Sequence, residues 1–414
     1  MVRGARLVGI VTRRAVLLGW SRLRAGTFDF PAWLATTVAQ LGPTSIKTAQ
    51  LLSTRVDLLP PRICRSLASL HDQVAAPPAT DLAPVLVGHL GALGRKIVEQ
   101  GCEPVASGSI ACVYRVESPE GRIIAVKVRR PGIERLLAAD LALLRGLARM
   151  VSWTPPLRGV PVVEIVGQLA DCIRAQADFG QEAARLLELH EHLDGSHGVR
   201  VPRPLPELCT SEVLVMEYVE GLDRGAAELL SDEQRRHAVV TALHAVYRML
   251  FQYGLVHCDL HPGNLYIRAD GSVALVDAGF TVRLSPYAHT KFTAFFYCMS
   301  LGDGLACAEV VLSTAIPGPR TDTHGFRREL SRLVEAHSGV RAADFDLVSF
   351  ASRLFDIQRG YGLYADPQFV FPILSLLVLE GSVRNLYPDA DFQREAMPFL
   401  TAAVLERAVI AAQD

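Results

Sequence analysis

The stretch His257-Cys258-Asp259-Leu260-His261-Pro262-Gly263-Asn264, followed by Asp277-Ala278-Gly279, concentrates side chains that could do chemistry. Asn264 stands five positions after Asp259, and Asp277 thirteen after Asn264. Transfer of a phosphoryl group needs a carboxylate beside the acceptor hydroxyl and two oxygen ligands that hold Mg2+ on the nucleotide phosphates. Asp259 fits the base, and Asn264 and Asp277 fit the metal. The plainer alternative, three polar residues capping turns around a hairpin, leaves their spacing unexplained.

Upstream, Ile124-Ala125-Val126-Lys127 has the form of a strand whose lysine contacts the α- and β-phosphates. Only four lysines occur, Lys47, Lys96, Lys127 and Lys291, among 42 basic residues. In so arginine-rich a chain a retained lysine marks chemistry that needs a compact ammonium rather than a broad guanidinium fork. A phosphate-covering loop is expected at Ala106-Ser107-Gly108-Ser109, continuing through Ile110-Ala111-Cys112-Val113, with one glycine where G-x-G-x-x-G has three. The D-x-x-x-x-N and D-F-G pattern of protein kinases is thus matched, with Ala278 in place of the phenylalanine.

Such groups need a small sheet to carry the lysine and a helical body to carry the carboxylates. Val105 to Val116 and Arg122 to Val128 have strand composition around a Pro119-Glu120-Gly121 turn, and Val213 to Val219 reads as a further strand. Ser231 and Gln234 form a capping box ahead of apolar residues at helical spacing. Leu265 to Ile267 and Val273 to Val276 read as a short hairpin, and everything from about Pro286 onward as helix. Ala75 to Ala79 reads as a linker and Met216-Glu217-Tyr218 as an apolar connector. The fold class is α+β: a protein-kinase-like two-lobed fold with a small β-rich N-lobe, a helical C-lobe and an N-terminal helical extension. The expected divisions are 1–75 for the extension, 76–220 for the N-lobe with a helical insertion, and 221–414 for the C-lobe.

These residues resemble the AarF/UbiB-like atypical kinases from about Leu41 to Asp391. The segment Leu41-Gly42-Pro43-Thr44-Ser45-Ile46-Lys47-Thr48-Ala49-Gln50 is similar to the family's K-x-G-Q signature, with Ala49 for its glycine. Gln176-Ala177-Asp178-Phe179 before Glu182, the H-x-D-x-H-P-G-N block, Leu379-Glu380-Gly381-Ser382-Val383 and Tyr387-Pro388-Asp389 extend the likeness. The resemblance implies ATP and Mg2+ as cofactors, a role in lipid or isoprenoid quinone-type metabolism, and nucleotide contacts at Glu217 and Tyr218. It implies that Glu182 pairs with Lys127, and that Lys47 and Gln50 reach into the cleft, where they restrict protein substrates. Gln176 replaces the glutamate of the family's E-x-D motif, which leaves Asp178 alone to hold Lys47 ionically. His257 and His261 read as structural, fixing the loop backbone.

Composition narrows the remaining classes. The 414 residues carry a net charge of −1, so no global electrostatic drive toward nucleic acid exists. Eight cysteines without a C-x-x-C pair suggest neither zinc nor a disulfide framework, and a reducing, cytoplasmic setting is expected. No apolar run reaches the length of a spanning helix. The first 28 residues hold six arginines and no acid, interleaved with apolar residues. They read as a basic helix that lies on an anionic membrane surface or packs on the body. Two competitors stand beside a kinase or ATPase: a nucleotide-gated scaffold for partner enzymes, and a small-molecule phosphotransferase of choline-kinase or aminoglycoside-kinase type. A homodimer is a further possible assembly.

Overall fold

The computed structural model describes residues 29–41, 45, 46, 49, 61–68, 76–153, 162–195, 198–318, 321–337 and 345–411. The chain divides into two compact units, Met1–Ala183 with Pro204–Tyr218, and Ala184–Arg203 with Val219–Asp414.

The first unit opens with helices α1 (Phe30–Leu41) and α2 (Pro61–Ala68), then the helical hairpin α3 (Ala79–Leu90) and α4 (Ala92–Glu99). Helix α3 begins at Ala79, so the expected linker is shorter than its composition suggested. Strands β1 (Ala106–Ser107), β2 (Ala111–Glu117) and β3 (Ile123–Arg129) follow, then α5 (Ile133–Val151), α6 (Val162–Ala175) and α7 (Phe179–Leu193), whose residues from Ala184 onward belong to the second unit. After β4 (Val199–Arg200), which belongs to the second unit, β5 (Val213–Glu217) completes an antiparallel sheet of order β1-β2-β3-β5. The strand predicted from Val105 is broken at the Gly108 turn, because Gly108 N–H bonds the Ala111 carbonyl and closes a tight loop there.

Side chains alternate across a strand. Cys112, Tyr114 and Val116, Ile124, Val126 and Val128, and Val213 and Val215 therefore share one face. That face packs on Leu82, Leu86, Leu90, Leu93 and Ile97 of the helical hairpin. The same alternation turns Lys127 to the opposite face. The hairpin is tight: a Cβ on Gly94 would lie 2.0 Å from the Leu86 carbonyl oxygen. Tyr114 is fully buried in this core, and burial pushes its phenol up to about 12.

The second unit is mostly helical. Helix α8 (Asp232–Tyr247) starts at the expected capping box, with Ser231 Oγ accepting the Gln234 N–H and Gln234 accepting the Ser231 N–H. Strand β6 (Leu255–His257) pairs antiparallel with β9 (Thr281–Arg283). Between them β7 (Leu265–Ile267) and β8 (Val273–Leu275) form the expected hairpin, and β4 adds to β8 in parallel. Helices α9 (Pro286–Ser300), α10 (Gly304–Thr314), α11 (Thr323–His337), α12 (Leu347–Gly360), α13 (Pro367–Arg384) and α14 (Phe392–Ala411) follow. The region is not wholly helical as expected, for β10 (Ile316–Pro317) pairs with β11 (Leu363–Tyr364). Two-residue strands carry too little pattern to stand out from helix-rich flanks.

Candidate active site

In the first unit, β3 delivers Lys127 and α7 delivers Glu182, whose Oε1 lies 2.7 Å from Lys127 Nζ. The lysine side chain is 13% exposed and the glutamate 1%, so the pair is largely shielded from water. Lys127 Nζ also stands 5.1 Å from the centroid of the buried Phe179 ring, a cation–π contact. Asp178 caps α7: its Oδ1 accepts the N–H groups of Gly180 and Gln181, and its Oδ2 the Gln181 side-chain amide. Its place immediately before the helix that carries Glu182 makes it a determinant of where that carboxylate points. Gln176 is buried, and its Nε2 finds no hydrogen-bond partner among the described residues. Lys47 and Gln50, expected to meet Asp178, lie outside the described residues, as do residues 1–28.

Ala106 and Ser107 form β1, and Gly108 and Ser109 the turn after it, with Ser109 buried. Arg130, which the sequence did not single out, fastens this loop: Nε donates to the Gly108 carbonyl at 2.8 Å and Nη2 to Ser107 Oγ at 2.8 Å. The neighbouring Arg129 is buried, donating to the Ala177 carbonyl and pairing with Glu212 at 2.7 Å. The only sequence signal for either was an arginine doublet ending a strand. Glu217 and Tyr218 close β5 as the last residues of the first unit, with the Arg115 guanidinium 5.2 Å from the Tyr218 ring centroid.

In the second unit one imidazole ties the backbones of Asp259 and Asp277, and Asn264 joins them through the Asp259 carbonyl. His257 is buried; its Nδ1 accepts the Asp259 N–H at 3.2 Å, so Nε2 carries the proton and donates to the Asp277 carbonyl at 2.5 Å. Burial holds this histidine below its ordinary value, which keeps the ring neutral and the tautomer fixed. Asn264 Nδ2 donates to the Asp259 carbonyl at 2.9 Å, and the Val276 N–H donates to the Asn264 carbonyl at 3.0 Å. Asp277 Oδ1 accepts the Gly279 N–H at 2.8 Å. The base-side loop and the Asp277 loop thus share a continuous hydrogen-bonded frame. Ala278 is fully buried at the position a D-F-G phenylalanine would take.

Helix α13 supports that frame from 118 residues away in sequence: Ser375 Oγ donates to the His257 carbonyl at 2.7 Å. One further turn pair along, Ser382 Oγ approaches the Leu260 carbonyl at 3.4 Å. Glu380 between them is buried and bonded by Arg384, its carboxyl held above the usual range by desolvation. Nothing in the sequence links these serines to the loop.

One carboxylate and one amide oxygen, with the remaining positions left to phosphates and water, is a donor set that suits Mg2+. Among the described residues no group of three or more His, Cys, Asp or Glu gathers as a metal site of another kind. Asn264 uses its amide nitrogen on the backbone, which turns Oδ1 away from the Asp259 carbonyl. The residues therefore fit a nucleotide-borne magnesium.

An antiparallel sheet whose lysine pairs with a helix glutamate, and a helical unit bearing D-x-x-x-x-N and a second aspartate, define the protein-kinase-like class. A Mycobacterium tuberculosis protein solved in complex with erythromycin shares the fold, with TM-score 0.56 and 19% identity across 95% of this chain and 96% of that one. Residues 69–311 match the ABC1 atypical kinase-like domain. A probable protein kinase UbiB of Marinobacter nauticus is 30% identical over 380 residues, 89% of this chain and 69% of that one. Its namesake in Aeromonas hydrophila is 30% identical over 408 residues, 95% and 73% of the two chains. The chain belongs to the ABC1 atypical kinase-like family, of AarF/UbiB type. No helix among the described residues is long and apolar enough to cross a membrane.

Proposed function

We propose that the protein binds Mg-ATP and hydrolyses it or transfers its γ-phosphoryl group, in support of lipid or isoprenoid quinone-type biosynthesis. The observation that carries the reading is the His257 bridge, which fixes the backbone of Asp259 and of Asp277 with a single neutral ring. A loop that merely turned the chain would need no such shared frame. Asn264 and Asp277 hold the metal, and Mg2+ would neutralise phosphate charge there. Asp259 accepts the proton of the attacking hydroxyl or water. Lys127, oriented by Glu182, contacts the α- and β-phosphates, while Ala106, Ser107, Gly108 and Ser109 cover them and Glu217 and Tyr218 complete the nucleotide contacts. The UbiB names of the relatives and the family resemblance support the quinone-type setting. Contact with a membrane surface through residues 1–28 belongs to the same reading.

A nucleotide-gated scaffold would share the ATP site, and the single glycine of the phosphate loop with Ala278 favours testing it. Thermal stabilisation by Mg-ATP and steady ADP release are measured in parallel. Asp277→Asn should abolish both and Asn264→Ala should weaken both. Binding without turnover selects the scaffold. Unchanged binding and turnover in both variants would remove the metal-site assignment.

A further inference from the structure

Gly263 of the H-P-G-N block does not adopt a left-handed backbone, so its lack of a side chain has another cause. A Cβ there would stand 2.6 Å from His261 Cε1, 2.9 Å from His261 Nδ1 and 2.8 Å from Arg224 Nη2. The glycine makes room for an imidazole edge and a guanidinium that converge on one point of the catalytic loop. His261 is held in place: its Nδ1 accepts the Gly263 N–H at 2.9 Å, which leaves the proton on Nε2, 3.7 Å from Asp259 Oδ1. Arg224 arrives from a separate turn, set by Asp223 Oδ1 accepting the Gly225 N–H at 2.9 Å.

Arg224 is solvent-exposed, and among the described residues its guanidinium makes no ion pair and no hydrogen bond. Several other arginines of the second unit are engaged: Arg268 on Ser272 and Asp270, Arg327 on Glu309, Arg359 on Asp356, Arg384 on Glu380. A guanidinium offers five donors in a planar fork that matches the oxygens of phosphate or carboxylate. Arg224 stands against the loop that carries Asp259 with no charge partner among the described residues.

We infer that Arg224, placed beside the His261 ring edge, forms an oxyanion-binding subsite near Asp259, which takes a phosphate group. That group belongs either to the phosphoryl acceptor or to the phosphoryl being transferred. Anion binding stands without catalysis, and only the meaning of its place beside Asp259 rests on the proposed function. No bond is made or broken in the subsite itself; Arg224 supplies charge and orientation.

The test is a ring-resonance titration of full-length protein by NMR at fixed pH. His261 is assigned by loss of its signals in His261→Gln, and the protein is titrated with inorganic phosphate, with Mg-ATP, and with chloride at matched ionic strength. Phosphate should shift the His261 Cε1–H signal saturably. Arg224→Gln should weaken that response about tenfold or more, as expected for loss of a charged hydrogen bond, and Arg224→Lys should restore only part of it. Gly263→Ala, which pushes both side chains apart, should weaken it as well. A response to phosphate alone places the acceptor's group in the subsite; one confined to Mg-ATP and lost in Arg224→Gln places the transferred phosphoryl there. Either supports the inference. A chloride response equal to that of phosphate, no response to any phosphate, or a wild-type response in Arg224→Gln would overturn it. None of these readouts requires turnover, so a protein that fails to release ADP still decides the question.

Discussion

Removing the Glu182 carboxylate tests the electrostatics of the first unit without assuming any activity. Glu182→Ala takes away the oxygen 2.7 Å from an ammonium whose side chain is only 13% exposed, at a place where the glutamate itself is 1% exposed. Stripping one member of a buried ion pair costs about 3–5 kcal/mol, whereas replacing both by apolar groups of similar size is close to neutral. The Phe179 ring 5.1 Å from Nζ retains part of the stabilisation, so the lower end, about 3 kcal/mol, is expected for Glu182→Ala. With a urea slope of about 2 kcal/mol per molar, the midpoint falls by about 1.5 M. The double variant Lys127→Met, Glu182→Leu should recover most of that loss. Tryptophan fluorescence is the assay, because the two tryptophans among the described residues, Trp33 and Trp153, both lie in the first unit. Single variants that each shift the midpoint by less than about 0.5 M, or a double variant whose effect is the sum of the singles, would refute the account of a shielded, coupled pair.

Ser375→Ala leaves the His257 carbonyl without its donor and should lower ADP release about tenfold, the value of about 1–3 kcal/mol for a buried unsatisfied group. Nucleotide affinity should change little, and Ser375→Thr should rescue part of the rate if the hydroxyl is what matters. Gly94→Ala forces a Cβ onto the Leu86 carbonyl, and should destabilise the first unit by more than about 2 kcal/mol in the same urea assay. Glu212 is held below its ordinary value by hydrogen bonds from His89 and then Arg129. A depressed carboxylate adds stability that is present above its unfolded value and lost as pH falls through the folded one. Glu212→Gln should therefore flatten the acid limb of stability below about pH 4.5, by under about 1 kcal/mol because the group is a third exposed.

What could be read from the chain depended on whether the signal was local. The spacing from Asp259 to Asn264 to Asp277, the β2–β3 hairpin around Pro119 to Gly121 and the Ser231 capping box are short-range patterns, each with a mechanism visible within about twenty residues. The pairing of Lys127 with Glu182 spans 55 positions and came only through resemblance. Arg130 on the Ser107-Gly108 turn, Arg224 against Gly263 and Ser375 on the His257 carbonyl have no periodicity or motif of their own. Ser375 and the Arg130 Nε donate to backbone carbonyls, which every residue possesses, so no residue type on the far side announces those contacts. The β10–β11 pair failed for the opposite reason, being too short to alternate. The pairing of Asp178 with Lys47 rests on a residue outside those described, and what the geometry adds is that Asp178 also caps the first turn of α7.

The two serines of α13 bear on where the functional unit ends. The family match stops at residue 311, while Ser375 and Ser382 reach the carbonyls of His257 and Leu260 from well beyond it. A polypeptide trimmed to the matched span would keep every acid and amide of the catalytic loop and lose the hydroxyls that satisfy its backbone. In such a fragment the loop would lack that support, and its inactivity would say nothing about Asp259 or Asp277. For the same reason, a substitution at Ser375 can disturb the Asp259 loop while lying beyond the matched domain.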